Sequence, residues 1–309
     1  MTPDRSGPPP PVPTGGTRLS IASAPDSPAR RLVAGLAGVP GRRTRRTGPI
    51  DVILRSPVSP HALSILCGVE DAAWKLGVDL VLSAGGGRRL DRVRGRGSAG
   101  VLLLRTSPTA EEWARLATRD VPVVFVDPRR KPPPGVPVVA SANRAGAREA
   151  VRHLIGLGHR RIAAITGRPG VPCGVDRLAG YREAMAEAGL TAVTACGYFQ
   201  TGLARQATLD LLARLPEPPT AILACSDAMA LGVYEALAER GLRVPGDVSV
   251  IGFDDGPAAA QATPALTTVR QPWQELGAAA LSVLLSRSAD SVELPATLVV
   301  RESACRPRS

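Results

Sequence analysis

Aromatic residues are nearly missing from this 309-residue chain: three Trp, three Tyr and three Phe amount to 3% of it. Its packing must therefore be mostly aliphatic. Lysine is almost absent too, because Lys75 and Lys131 are the only two among 38 basic residues. The five cysteines, Cys67, Cys173, Cys196, Cys225 and Cys305, show no short metal-ligand spacing and leave an odd thiol. That excludes a thiolate metal knuckle and leads us to expect a reduced, cytoplasmic protein. No run of about 18 apolar residues exists, so no membrane-spanning helix is encoded. Met1 to Arg18 also lacks the apolar stretch of a secretory signal.

Catalytic signatures are missing as well. There is no G-x-S-x-G elbow, no P-loop and no G-x-G-x-x-G after a strand; GLGHRR at 156–161 precedes one. Of three histidines, His61 follows the first strand and can reach a cleft, His153 falls within a helix, and His159 sits in a helix-to-strand turn, where a structural role suits it. One cleft-side His without a partner is a thin basis for acid–base chemistry. We therefore expect no enzyme, no cofactor and no metal.

What is present is a normal globular composition, 44% hydrophobic, with a formal net charge of +11. The charge is uneven: residues 1–48 hold eight Arg against two Asp, a net +6, leaving +5 for the rest. Residues 1–28 are Pro-rich, including Pro8 to Pro11, and are expected to be disordered. A possible short helix, ARRLVAGLAG, covers 29–38, and a basic run, GRRTRRTG, covers 41–48. Arg30, Arg31, Arg42, Arg43, Arg45 and Arg46 are the candidates for contact with DNA phosphates. The competing reading is a solvated Arg-rich linker.

From Pro49 the chain alternates short apolar strands with helical periods. Strands are expected near 50–54, 78–82, 99–104, 121–126, 162–165, 192–196, 222–224, 248–253 and 267–269, with two more near 291–294 and 297–300. Helices are expected over 61–76, 109–119, 145–157, 177–188, 201–215 and 274–287, and in a segment capped by Ser226. Gly85 to Gly100, GGGRRLDRVRGRGSAG, is too short and Gly-rich for the helix a βαβ unit would place there. The pattern implies an α/β fold of two lobes, each a parallel sheet flanked by helices, with three crossovers. We expect a first lobe from 49–141 plus 271–290, a second from 142–270 plus 291–303, and a tail at 304–309.

Residues 220–256, TAILACSDAMALGVYEALAERGLRVPGDVSVIGFDDG, form the clearest unit, a strand, a capped helix stopped at Gly241, and a second strand ending in Asp254 and Asp255. Parallel strands deliver polar residues to their carboxyl edge, where open α/β sheets bind small molecules. Asp127 follows one such strand, Ser226 another and Asp254 a third, while Arg177 opens a helix behind a Gly- and Pro-rich loop. Carboxylates, a guanidinium fork and a hydroxyl suit a polyhydroxylated ligand. Asp227 is better explained as a helix cap or dipole partner. Trp273 could stack on a sugar ring or plug the core at a helix start.

NRAGAREAVRHLIGLGHRRIAAITG (143–167), DRLAGYREAMAEAGL (176–190), residues 220–255, TPALTTVRQPWQELG (263–277) and LPATLVVRES (294–303) together resemble the effector-binding core of the lactose/galactose repressor family of bacterial transcription regulators. The resemblance implies a fold like that of periplasmic sugar-binding proteins and a homodimer formed largely through the first lobe. It also implies an effector of sugar, polyol or nucleobase type that shifts affinity for DNA. By position it assigns Asp127, Arg177, Ser226, Asp254, Gln271 and Trp273 to the cleft, with the 56–61 loop, and so His61, as the first-lobe ligand loop. Tyr198 and Phe199 fall near a usual aromatic ligand position.

The departures matter as much. Residues 1–48 carry no two-helix pattern where such regulators have a helix-turn-helix, although ARRLVAG at 29–35 is similar to the end of a hinge helix. The DNA reader is therefore expected to be lost or to lie outside this sequence, with a DNA-independent sensor module as the alternative function. Ala142 stands where the family has Asp, and Ser98 to Gly100 where it has Val-Asp-Gly.

Overall fold

The computed structural model describes residues 48–54, 59–84, 97–117 and 121–308. The proposed phosphate-contacting arginines, the helix at 29–38 and most of the Gly85–Gly100 segment lie outside these residues. The first lobe begins with β1 (Ile50–Leu54), whose five residues are all buried. Next comes α1 (Pro60–Leu76), capped by the Ser59 side chain and opened by Pro60, whose missing N–H costs nothing there. Then come β2 (Leu80–Ala84), β3 (Gly100–Leu104), α2 (Ala110–Ala117), β4 (Val123–Val126) and β5 (Val138–Ser141). The chain crosses to the second lobe and runs through α3 (Asn143–Gly156), β6 (Ile162–Thr166), α4 (Pro172–Glu187), β7 (Val193–Cys196), α5 (Thr201–Arg214) and β8 (Ala221–Ala224). It continues through α6 (Asp227–Glu239), β9 (Ser249–Asp254), α7 (Pro257–Gln261) and β10 (Thr267–Arg270). It returns as α8 (Trp273–Ser286) and β11 (Val292–Leu294), then crosses a last time into β12 (Thr297–Val299).

Two six-stranded sheets result, ordered β11-β5-β4-β3-β1-β2 and β12-β10-β9-β8-β6-β7. Pairing is parallel throughout except for β12, which runs antiparallel to β10. One face of the first sheet packs against α1 and α8 through Ile65, Val69, Leu276 and Ala280. The other face carries Ile53, Val101, Leu103 and Phe125 against Trp113 and Leu116 of α2. The second sheet is covered on both faces, by α5 and α6 on one and by α3 and α4 on the other. Its strands read as continuous apolar runs for that reason.

Helices α1 and α8 touch backbone to backbone. A Cβ on Gly68 would lie 1.9 Å from the Gln274 carbonyl oxygen, and one on Gly277 would lie 2.1 Å from that of Ile65. The contact joins a helix from the start of the chain to one from near its end.

Several expectations need correction. Strand β5 falls just before Asn143, in a stretch to which we assigned no element, and the short α7 was not foreseen. Helix α4 begins at Pro172, so Arg177 lies in its second turn and does not open it. Val292–Leu294 pairs with Val139–Ser141 in the first sheet, so the 291–303 segment does not belong wholly to the second lobe. The third crossover therefore follows Leu294. Among the described residues no helix is long and apolar enough to cross a membrane.

Candidate functional site

The carboxyl edges of both sheets face each other across a cavity of about 210 Å³. From the first lobe come His61 in the first turn of α1, Arg105 after β3, and Asp127 and Arg129 after β4. From the second come Cys173 and Arg177 on α4, Phe199 before α5, Ser226 at the cap of α6, and Asp254 ending β9. Four of the seven proposed ligand residues, Asp127, Arg177, Ser226 and Asp254, are buried there, and His61 joins them half-buried.

Arg177 is held from three sides. Its Nε donates to Asn143 Oδ1 at 2.8 Å, one Nη to the Cys225 carbonyl at 2.6 Å, and the other Nη lies 3.2 Å from Asp254 Oδ1. The guanidinium also sits 3.8 Å above the Phe253 ring. Asn143 is the single asparagine of the chain and stands at the first crossover, so this arginine ties α4, β9 and the interlobe hinge together. Gln271, at the second crossover, donates its amide to the same Asp254 oxygen. A buried charge persists only when paired and hydrogen-bonded, and this pair meets both conditions.

The first lobe answers with its own pair, Arg105 to Asp127. The two residues end adjacent parallel strands and both have left-handed backbones, φ +47° and +44°; Asp254 is at +118°. Left-handed non-Gly residues are uncommon, and their concentration at the two facing carboxyl edges fits a site where strain is held for function. His61 Nε2 lies 3.9 Å from Asp254 Oδ2, reaching across the cavity between lobes. Burial holds its imidazole below the ordinary value, while Asp254 pulls the other way. On the second-lobe wall, Phe199 lies against Gly167, where a Cβ would approach within 2.0 Å of the ring.

Two proposed residues stand behind the wall. Trp273 stacks on His61 with ring centroids 4.7 Å apart and an interplanar angle of 15°, and the Arg105 guanidinium lies 5.3 Å from the centre of its ring. Its body packs on the first-lobe core, so it backs His61 and does not face the cavity. Gln271 likewise reaches the site only through Asp254. Asp227 accepts from Thr268 Oγ1 at 2.5 Å and from the Gly256 N–H at 2.8 Å, bracing strand β10 and the loop after β9 from outside the cavity. His159 bridges Thr220, Ser249 and the Cys305 carbonyl at 2.9–3.1 Å, the structural role expected of it.

Arg105, Arg129 and Cys173 escaped selection, while Phe199, noted in the sequence only as near an aromatic ligand position, does line the cavity. Arg105 was legible in principle, since it follows a buried strand at the same edge as Asp127. Burial pushes the Cys173 thiol up to about 11 and that of Cys225 to about 12, so both sulfurs are protonated packing groups. Larger hollows of about 350 and 510 Å³ lie at the opposite, amino-terminal edges of the sheets. Neither gathers acidic and basic side chains from both lobes, and we locate the site in the cleft. Among the described residues no cluster of His, Cys, Asp and Glu could hold a metal.

A family profile described as "Periplasmic binding protein-like domain" matches residues 151–304. The chain is 33% identical over 299 residues to the HTH-type transcriptional regulator CelR of Thermobifida fusca, covering 91% of this chain and 88% of that protein. It is 35% identical over 258 residues to the ribose operon repressor of Escherichia coli, covering 79% and 77%. Among solved structures, a CelR–cellobiose complex superposes with a TM-score of 0.73 at 33% identity, covering 91% of this chain and 93% of that one. A regulator from Enterococcus faecium with bound ribose gives 0.73 at 25% identity, covering 84% and 100%.

Proposed function

Because this chain belongs to the lactose/galactose repressor family of transcription regulators, we propose that it binds one small sugar-like effector between its lobes and thereby changes its affinity for DNA. The observation that carries the reading is the Arg177–Asp254 pair, buried at the cavity and braced from both crossovers by Asn143 and Gln271. A ligand hydroxyl that accepts from Arg177 while donating to Asp254 would sense both charges at once. His61 and Arg105 from the first lobe would contact the same ligand, so its binding free energy would depend on how the lobes close. A ligand shifts a conformational equilibrium only through such differential contact. Cellobiose and ribose, named in the relatives' structures, mark the chemical range to test.

A homodimer through the first lobe accords with the apolar side chains exposed there, Leu63 and Trp74 on α1 and Leu82 on the edge strand β2, with Trp74 82% exposed. Arg30, Arg31, Arg42, Arg43, Arg45 and Arg46 are the proposed phosphate contacts. A second reading, a sensor that depends on another chain to read DNA, is favoured by the Pro-rich composition of residues 1–28 and the lack of a two-helix pattern in 1–48.

One titration separates them. Fluorescence anisotropy against the duplex upstream of the gene and against an unrelated duplex, at low and physiological salt, should show preference for the native duplex that survives physiological salt. Equal, salt-sensitive binding to both would overturn autonomous operator recognition and leave the sensor reading, since phosphate-only contact is lost steeply as salt rises.

A further inference from the structure

We infer that Asp255, a residue outside the cavity, positions Asp254 for the effector, and that the clamp of Arg270 and Arg301 on its carboxylate sets effector affinity from behind the site. The inference rests on the reading of the cleft as a sugar-type effector site. Asp254 and Asp255 are consecutive and both left-handed, at φ +118° and +54°. The first value lies far from the left-handed well near φ +57°. A non-glycine residue held in such a conformation costs free energy and persists only where its surroundings over-determine it. The carboxylate of Asp254 must also meet a ligand, so part of the holding has to come from elsewhere.

Asp255 supplies it. Its carboxylate is buried, and each oxygen has its own arginine: Oδ2 accepts from Arg270 Nε at 2.6 Å and Oδ1 from one Nη of Arg301 at 2.6 Å. Hydrogen bonds between charged groups are among the strongest in proteins. Arg301 is itself fixed, since its other Nη donates to the Leu266 carbonyl at 2.8 Å and its backbone N–H to Thr267 Oγ1 at 2.9 Å. One residue further on, the Gly256 N–H is held by Asp227. The turn that aims Asp254 is thus fastened at each of the next two residues.

The origin of the two arginines gives the clamp a second role. Arg270 ends β10 in register with Asp254, and the next residue, Gln271, donates to Asp254 itself. Neighbouring residues at the second crossover therefore hold neighbouring residues of the turn. Arg301 follows β12, just beyond the third crossover, and the third is joined to the first by the Ala142 N–H and the Leu294 carbonyl at 2.8 Å. A rotation of the lobes about these crossovers would pull on the clamp and, through it, on Asp254. A ligand that prefers one placement of Asp254 then favours one arrangement of the lobes.

Asp255→Asn keeps the side-chain size and suits a left-handed backbone, but it cannot satisfy both arginines. Isothermal titration with ribose, glucose and cellobiose, and hydrogen exchange of the sugar-free protein, would compare the wild-type chain with Asp255→Asn, Arg301→Met, their double variant and Arg301→Lys. Each is checked for a native thermal transition. The expected result is sugar binding weakened roughly tenfold in Asp255→Asn and Arg301→Met, no further loss in the double variant, and partial recovery in Arg301→Lys. Amide exchange at residues 254–256 should quicken in the sugar-free variants while that of the rest of β9 stays slow. A clamp serving stability alone would lower the thermal transition and leave both readouts of the folded protein unchanged, which would overturn the inference. Losses that multiply in the double variant would also overturn it, because the two residues would then act apart. Silence of the wild-type chain toward all three sugars would overturn the sugar-type reading, and exchange at 254–256 alone would then decide whether the clamp positions Asp254.

Discussion

Arg177 carries two burdens that substitution can separate. Removing one partner of a buried ion pair strands the other, a cost of about 3–5 kcal/mol. Arg177→Ala should therefore lower unfolding free energy by that order in urea titrations. Arg177→Met with Asp254→Leu should recover much of it, while abolishing effector binding in calorimetry. His159 makes a different prediction. Burial lowers its pKa, so the unfolded chain takes up the proton first. Stability from this group is full above the ordinary imidazole value of 6.5 and is lost as pH falls below it.

Asp227 has the opposite sign. Burial first, and then Asp254, raise its carboxyl from 3.8 to about 7. Its stabilisation is complete below 3.8 and disappears as pH rises through about 7. Urea titrations from about pH 4 to 8 should show His159→Gln removing the acid-side loss and Asp227→Asn removing the opposing slope.

At the scale of elements, the α1–α8 contact depends on two missing side chains. Gly68→Ala or Gly277→Ala would drive a methyl group into a facing backbone carbonyl, which no rotamer change relieves. Overpacking costs typically about 1–3 kcal/mol, and a rigid backbone neighbour argues for the upper end. Thermal melts should show the loss in either variant, and the double variant should do no better. Buried runs such as VVFV and SVIGF announced their strands, because a sheet covered on both faces must be apolar along its length. β5 was missed because four residues behind Pro137 give too short a run. The start of α4 was misread because Pro172 looked like a loop breaker when it occupies the one helical turn that tolerates proline. The acid and base residues of the cleft were legible from their places at strand ends. The roles of Gln271 and Trp273 were not, because supporting a neighbour and facing a ligand leave the same mark in a sequence.

At the scale of the molecule, the basic head and the two-lobed body are separable by test. A chain lacking residues 1–47 should bind effector unchanged in calorimetry while losing anisotropy signal with any duplex. The path of the chain through the body has a further meaning for its synthesis. The first sheet needs β11 and the helix α8, the second needs β12, and Ser303 closes β9 and β10 through bonds to Val250 and Thr267. Neither lobe has all its pieces until almost the whole chain has left the ribosome. A nascent chain stalled after residue 270 would expose an unfinished edge on each sheet, with the apolar face meant for α8 uncovered. Such intermediates are prone to aggregation, so this fold places its demand for chaperones at the end of translation, when both lobes complete together.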